Sequence, residues 1–215
     1  MRYALIVFDW DGTILDSPRA IAGCIRQAAG EMGLEVPDYE RASHVIGLGL
    51  QDALRFAVPG LAAERYAQFV DCYRRHFRAC EESMQLFAGM RELLEALCGR
   101  HTLAIATGKS RRGLERALDA SALRACFRAS RCADETVPKP HPAMLLELMQ
   151  ETHVDAKSTL MIGDTSHDME MARAAGVDAV AVGYGAHPAA GLRACGPLDC
   201  CADVARLAQW LAANA

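Results

Sequence analysis

The residues best equipped for chemistry are Asp9 and Asp11, in Asp9-Trp10-Asp11-Gly12-Thr13, directly after an unbroken apolar stretch at 3–8. Such a run suits a parallel strand covered on both faces, and ligands of open α/β sheets bind beyond the carboxyl ends of those strands. A spacing of two sends both carboxylates one way and Trp10 the other, while Gly12 lets the chain turn sharply. Adjacent carboxylates raise the pKa of one member unless a cation relieves the repulsion. Taken alone, the pattern also suits an ordinary turn with Asp at its first position and Gly beyond it.

Three further segments place polar groups where apolar runs stop. Leu103-Ala104-Ile105-Ala106 leads into Thr107-Gly108-Lys109-Ser110, a hydroxyl followed by free backbone donors. Val137-Pro138-Lys139-Pro140-His141-Pro142 holds one lysine between prolines, with a helix expected from about His141. Leu160-Met161-Ile162 runs into Gly163-Asp164-Thr165-Ser166-His167-Asp168, ahead of a helix that closes at Gly176. Asp164 then sits at a strand end and Asp168 in the first helical turn.

In this order the four segments resemble the haloacid dehalogenase-like hydrolase superfamily, on the side of its helical-cap phosphatases near the phosphoglycolate phosphatases. The resemblance implies an α/β fold: a Rossmann-like parallel sheet with helices on both faces, plus a small α-helical cap inserted after the first strand. The core would comprise 1–14 and 85–215 and the cap 15–84. It also implies Mg2+-dependent hydrolysis of a small phosphate monoester, phosphoglycolate-like or a sugar phosphate. Phosphoryl transfer asks mainly for alignment and charge neutralisation. By this resemblance Asp9 attacks phosphorus to form an aspartyl-phosphate, and Asp11 exchanges a proton with the leaving group and then with water. The Mg2+ ligands would be the Asp9 and Asp164 carboxylates and the Asp11 main-chain carbonyl, with Asp168 behind them holding Lys139 or a metal-bound water. Thr107, Gly108 and Lys139 would hold the phosphoryl oxygens. Asp11 argues against haloacid dehalogenation, and a cap without lysine argues against imine-forming phosphonate cleavage. A sugar phosphomutase shares the aspartyl-phosphate chemistry, and Thr13 leans toward hydrolysis. A non-catalytic phosphate-ester-binding module would be expected to lack one of these groups.

The elements that must position these residues are a buried sheet and a helical insertion. In the insertion, Tyr66, Phe69, Val70, Tyr73 and Phe77 mark one helical face, expected to form the cap's own core, with Arg74, Arg75 and Arg78 elsewhere. Asp16-Ser17 reads as a hinge and helix cap, and Pro59-Gly60 as a turn. The loop His44-Val45-Ile46-Gly47-Leu48-Gly49-Leu50 lacks the third glycine and the βαβ frame of a dinucleotide fingerprint. It is either a plain helix–helix turn or, by resemblance, a loop that dips toward the site, with His44, Gly47 or Arg41 as substrate contacts. Arg19 and Arg55 are candidate anchors for a substrate anion or simply solvated charges. The core resumes near Leu86, where Met90, Leu93, Leu94 and Leu97 form a stripe ahead of Gly99.

The 215 residues are 52% hydrophobic and carry a formal charge of -4 from 23 basic and 27 acidic residues. That balance offers no electrostatic case for nucleic acid, and no stretch reaches membrane-spanning length. The expected partner is a small phosphorylated metabolite; the sequence leaves the oligomeric state unread. Nine cysteines, an odd number without a C-x-x-C pair, suggest reduced, mostly buried thiols, and together with an N-terminus lacking a cleavable pattern they suggest a cytoplasmic protein. Of adjacent Cys200 and Cys201, one thiol is expected to face the core.

Overall fold

The computed structural model describes residues 2–81 and 83–215. Its centre is a six-stranded sheet made of β1 (Leu5–Phe8), β2 (Thr102–Thr107), β3 (Ala129–Cys132), β4 (Thr159–Gly163), β5 (Asp178–Val182) and β6 (Cys200–Cys201). All neighbours pair in parallel, in the order β3-β2-β1-β4-β5-β6. From β1 the chain builds outward through β2 and β3, then crosses back to β4, so the switch in direction lies between β1 and β4. Doubly wound sheets bind their ligands at that crevice. Pairing starts at Leu5, two residues later than the apolar run, and Tyr3 is buried with its hydroxyl donating to Asp178.

Alternation along the strands explains the covering helices. Ile6, Phe8, Leu103, Ile105, Leu160 and Ile162 pack on one face against α5 (Met90–Cys98), α6 (Arg111–Ser121) and α10 (Val204–Asn214). Leu5, Val7, Ala104, Ala106 and Met161 point the other way, against α7 (Ala143–Thr152) and α8 (Ser166–Ala175). The short α9 (Ala189–Ala194) adds Leu192 beside Met169 and Ala181. Helices therefore cover both faces, as expected for strands apolar on both sides. The helix expected from His141 starts at Ala143, with Pro142 in the capping position. Strands β3 and β6 went unread because they are short or interrupted by polar residues, as in Ala-Ser-Arg-Cys of β3, whereas β5 carries an apolar run after Asp178 that the sequence reading passed over.

Between β1 and α5 come α1 (Pro18–Glu31), α2 (Tyr39–His44), α3 (Leu50–Ala57) and α4 (Tyr66–Glu81). They close around a separate apolar cluster that includes Ile21, Ile25, Leu54, Phe69 and Phe77. The chain leaves and re-enters the core side by side, where Leu15 bridges Leu86. Among the described residues all nine cysteines are free, with Cys201 buried and Cys200 half-buried, and no helix is long and apolar enough to cross a membrane.

Candidate active site

Register sets the first distances. Phe8 stands level with Ile105 and Ile162, and the Asp9 amide still bonds the Ile162 carbonyl at 2.9 Å, so the residues after β1, β2 and β4 emerge at one edge. Trp10 turns back into the core, and Gly12 takes a φ of 86° that places the loop against Asp164. A Cβ on Gly12 would stand 2.1 Å from Asp164 Oδ2, and one on Gly185 would stand 2.3 Å from the same oxygen. Both positions require glycine for that close approach.

Lys139 lies at the centre. Its Nζ is 2.6 Å from Asp9 Oδ1 and 2.6 Å from Asp168 Oδ1, and all three side chains are buried. Asp168 is held in turn by the Thr165 amide at 3.0 Å and the Thr165 hydroxyl at 2.7 Å, the reciprocal cap that starts α8. Asp164 accepts from Thr13 Oγ1 at 2.8 Å and from the Ala186 amide at 2.7 Å. Asp11 Oδ1 accepts from Ser17 Oγ at 2.8 Å, and Lys109 Nζ lies 2.8 Å from Asp11 Oδ2.

Charge at the centre is unbalanced. Carboxylate oxygens of Asp9, Asp164 and Asp168 lie within 4.8 Å of one another, and among the described residues one ammonium, that of Lys139, pairs with Asp9 and Asp168. Burial, outweighing the pull of Lys139 and reinforced by the charges of Asp168 and Asp11, raises Asp9 to about 7. Burial, followed by the charges of Asp9 and Asp168, lifts Asp164 well above the usual carboxylate range. Burial opposes the Lys139 cation, yet Asp168 and Asp9 together hold it above the ordinary lysine value. Asp9 Oδ2 is buried without a hydrogen-bond partner. An orphaned carboxylate oxygen beside a second buried carboxylate is compatible with a divalent cation and its preference for hard oxygen ligands.

The site opens into a cavity of about 780 Å³ between core and cap. Asp9, Asp11, Thr107, Gly108 and Lys109 form its floor, and Ile21, Val45, Leu48, Val70, Tyr73 and Phe77 are among the residues that roof it. The apolar face of α4 therefore serves twice, since Phe69 fills the cap core while Tyr66, Val70, Tyr73 and Phe77 reach the cavity. Arg74 and Arg78 also line it, from the face that the helical pattern set apart.

The loop 44–50 does dip toward the site, though not through His44. Gly47, with φ 91°, lines the cavity and sits over Thr165. The His44 ring turns outward and stacks on His187 with centroids 4.9 Å apart. Its backbone carbonyl does the work instead, accepting from His167 Nε2 at 2.9 Å and His187 Nε2 at 3.0 Å. Arg41 bonds the Phe56 carbonyl, Arg55 faces Asp52, and Arg19 is exposed; none of the three lines the cavity. Ser17 starts α1 without a side-chain cap bond, its hydroxyl being committed to Asp11. Lys109 and Ala186 were not singled out from the sequence, and Ser17 was read as a hinge and helix cap and not as a partner of Asp11. The rarity of lysine, three residues in the chain, was a usable signal for Lys109, whereas nothing marked Ala186.

Residues 6–182 match the family model described as haloacid dehalogenase-like hydrolase. The chain belongs to this family. Within it, a Pseudomonas aeruginosa protein named 5'-nucleotidase is 35% identical over 214 residues, covering 98% of this chain and 96% of the relative. A Pseudomonas putida phosphoglycolate phosphatase is 31% identical over 194 residues, covering 84% and 70% respectively. The crystal structure of a hydrolase from Pseudomonas syringae superimposes with a TM-score of 0.89 at 22% identity, over 99% of each chain, and shows the same fold. That likeness in fold runs over the sheet and the helical insertion alike.

Proposed function

We propose that this protein is a Mg2+-dependent phosphatase that hydrolyses a small phosphate monoester through an aspartyl-phosphate on Asp9. One observation carries the reading: Lys139 grips one oxygen of the Asp9 carboxylate and leaves the other buried and unpartnered, in a residue that lines the cavity. A carboxylate so oriented has its free lone pairs aimed where a phosphorus atom could sit, and attack there divides one hard hydrolysis into two easier steps. Thr107 and the Gly108 amide receive the phosphoryl oxygens, and Lys139 offsets their charge. Asp11, on the cavity floor, donates a proton to the departing alkoxide and takes one from the water that cleaves the aspartyl-phosphate.

The Asp9 and Asp164 carboxylates and the Asp11 carbonyl would hold Mg2+, which supplies positive charge against the transferring group. Asp168 keeps Lys139 in place. The relatives named 5'-nucleotidase and phosphoglycolate phosphatase support a phosphorylated small molecule as substrate. The odd number of cysteines without disulfide spacing supports a cytoplasmic location.

The test is phosphate release from a panel of 2-phosphoglycolate, sugar phosphates, nucleotides and pyrophosphate, with Mg2+ and with EDTA. Release that needs Mg2+ and disappears in Asp9→Asn is expected; an inert purified protein would overturn the reading. Retained turnover in Asp9→Asn would overturn the choice of nucleophile.

A further inference from the structure

Two of the chain's three lysines have buried side chains in the site, and the chemistry above uses only Lys139. Lys109 follows Thr107 by two residues and turns its ammonium onto Asp11, 2.8 Å from Oδ2 and 3.0 Å from Oδ1. Ser17, at the entrance to α1, donates to the same carboxylate. On its other side Lys109 Nζ lies 4.9 Å from the ring centroid of Phe77 in α4, a favourable place for a cation. The Lys109 side chain is 8% exposed and that of Asp11 is 11% exposed.

Desolvating an ion pair is costly, and an apolar residue would cover Phe77 without that cost. What the pair supplies is orientation. Asp11 is held by three separate parts of the chain: the hinge through Ser17, the loop after β2 through Lys109, and the cap through the ring that closes over Lys109. With the cap withdrawn, the ammonium would be open to water on that side, and its hold on the carboxylate would weaken as the local dielectric rises.

We propose that Lys109 is a positioning residue for Asp11, seated by Phe77 when the cap closes, so that closure and readiness for proton transfer are one event. The inference rests on the phosphatase reading and deepens it. Its signature is dependence on the leaving group. An alkoxide needs the proton from Asp11, whereas p-nitrophenolate departs without one.

The experiment compares Lys109→Met with the native enzyme on 2-phosphoglycolate, or whichever alkyl ester is turned over fastest, and on p-nitrophenyl phosphate. On the alkyl ester kcat should fall about tenfold to a hundredfold, with KM changed less than about threefold, and on p-nitrophenyl phosphate the loss should stay below about threefold. In an Asp11→Asn background Lys109→Met should cost nothing more. Ser17→Ala should show the same leaving-group pattern, and it carries the test if thermal melts show Lys109→Met to be unfolded. Equal losses on both esters would overturn the proposal, as would a raised KM at unchanged kcat, which would make Lys109 a phosphate contact. Native enzyme inert toward both esters would overturn the phosphatase reading and this inference together; active native enzyme with uniform losses overturns this inference alone.

Discussion

Gly108 meets Gly47 backbone to backbone: a Cβ on Gly108 would stand 2.6 Å from the Gly47 carbonyl oxygen and 2.6 Å from that of Leu48. The loop proposed to offer phosphoryl-binding amides is thus also the surface on which the helical insertion rests. Gly108→Ala should leave the sheet intact and prop the cap open. A displacement of about 1 Å at a catalytic site costs on the order of a hundredfold in rate. The expected result is a fall in kcat/KM of about that size with a melting temperature within a few degrees of native, checked by steady-state kinetics beside thermal denaturation.

Lys139→Met should damage both stability and turnover. It removes the ammonium that bridges Asp9 and Asp168 and strands two buried carboxylates, a class of change that costs about 3–5 kcal/mol. Urea unfolding should report a loss of that order, with Asp168→Asn in the same background recovering part of it. A native-like midpoint in Lys139→Met would contradict the charge balance described above.

Metal removal provides a check independent of activity. Burial first, and then the charges of neighbouring carboxylates, raises Asp9 and Asp164, and a divalent cation relieves the repulsion. Mg2+ at a hundred times its dissociation constant should stabilise the fold by about 2.7 kcal/mol relative to EDTA. In a chain of this size that corresponds to roughly 5–10 °C in melting temperature. Asp164→Asn should abolish most of the shift, and a full shift in that variant would place the ion elsewhere.

Acid should loosen the seat of the cap. Burial lowers His187 to about 4, reinforced by neighbouring His167 and His44 against the opposing charge of Asp168. The same desolvation lowers His167. Neutral His187 accepts from the Ser166 amide through Nδ1 and donates through Nε2 to the His44 carbonyl, and protonation would cost the first bond. A folded-state pKa below the unfolded value of about 6.5 gives stability that is complete above that value and is lost as pH falls toward 4. Melting temperature should therefore decline across this window, and His187→Gln should flatten the decline. An unchanged slope in His187→Gln would remove His187 from the account.

Much of the framework was legible because its signals are local. Tyr3 to Phe8 read as a doubly covered strand because every position is apolar, and α8 because its cap and its closing Gly176 bracket it. β3 and β6 carry no such signal. Four polar or short residues become strand only because a neighbour's edge is waiting for them. The His44 ring lies off the cavity for a related reason: the loop was placed near the site, but which group of a residue turns inward depends on what the core presents, here two imidazole donors below its carbonyl.

By itself the sequence determined which groups could do chemistry and that each stood at the end of an apolar run, since strand and turn formation depend on near neighbours along the chain. Only the tertiary structure decided that Lys139 bridges Asp9 and Asp168, that Lys109 faces Asp11 beneath Phe77, and that Ala186 and Thr13 hold Asp164. Three of these pairings, Lys109 with Asp11, Lys139 with Asp9 and Thr13 with Asp164, join residues 98, 130 and 151 positions apart, and the order of parallel strands that brings them together is set by packing of the whole sheet.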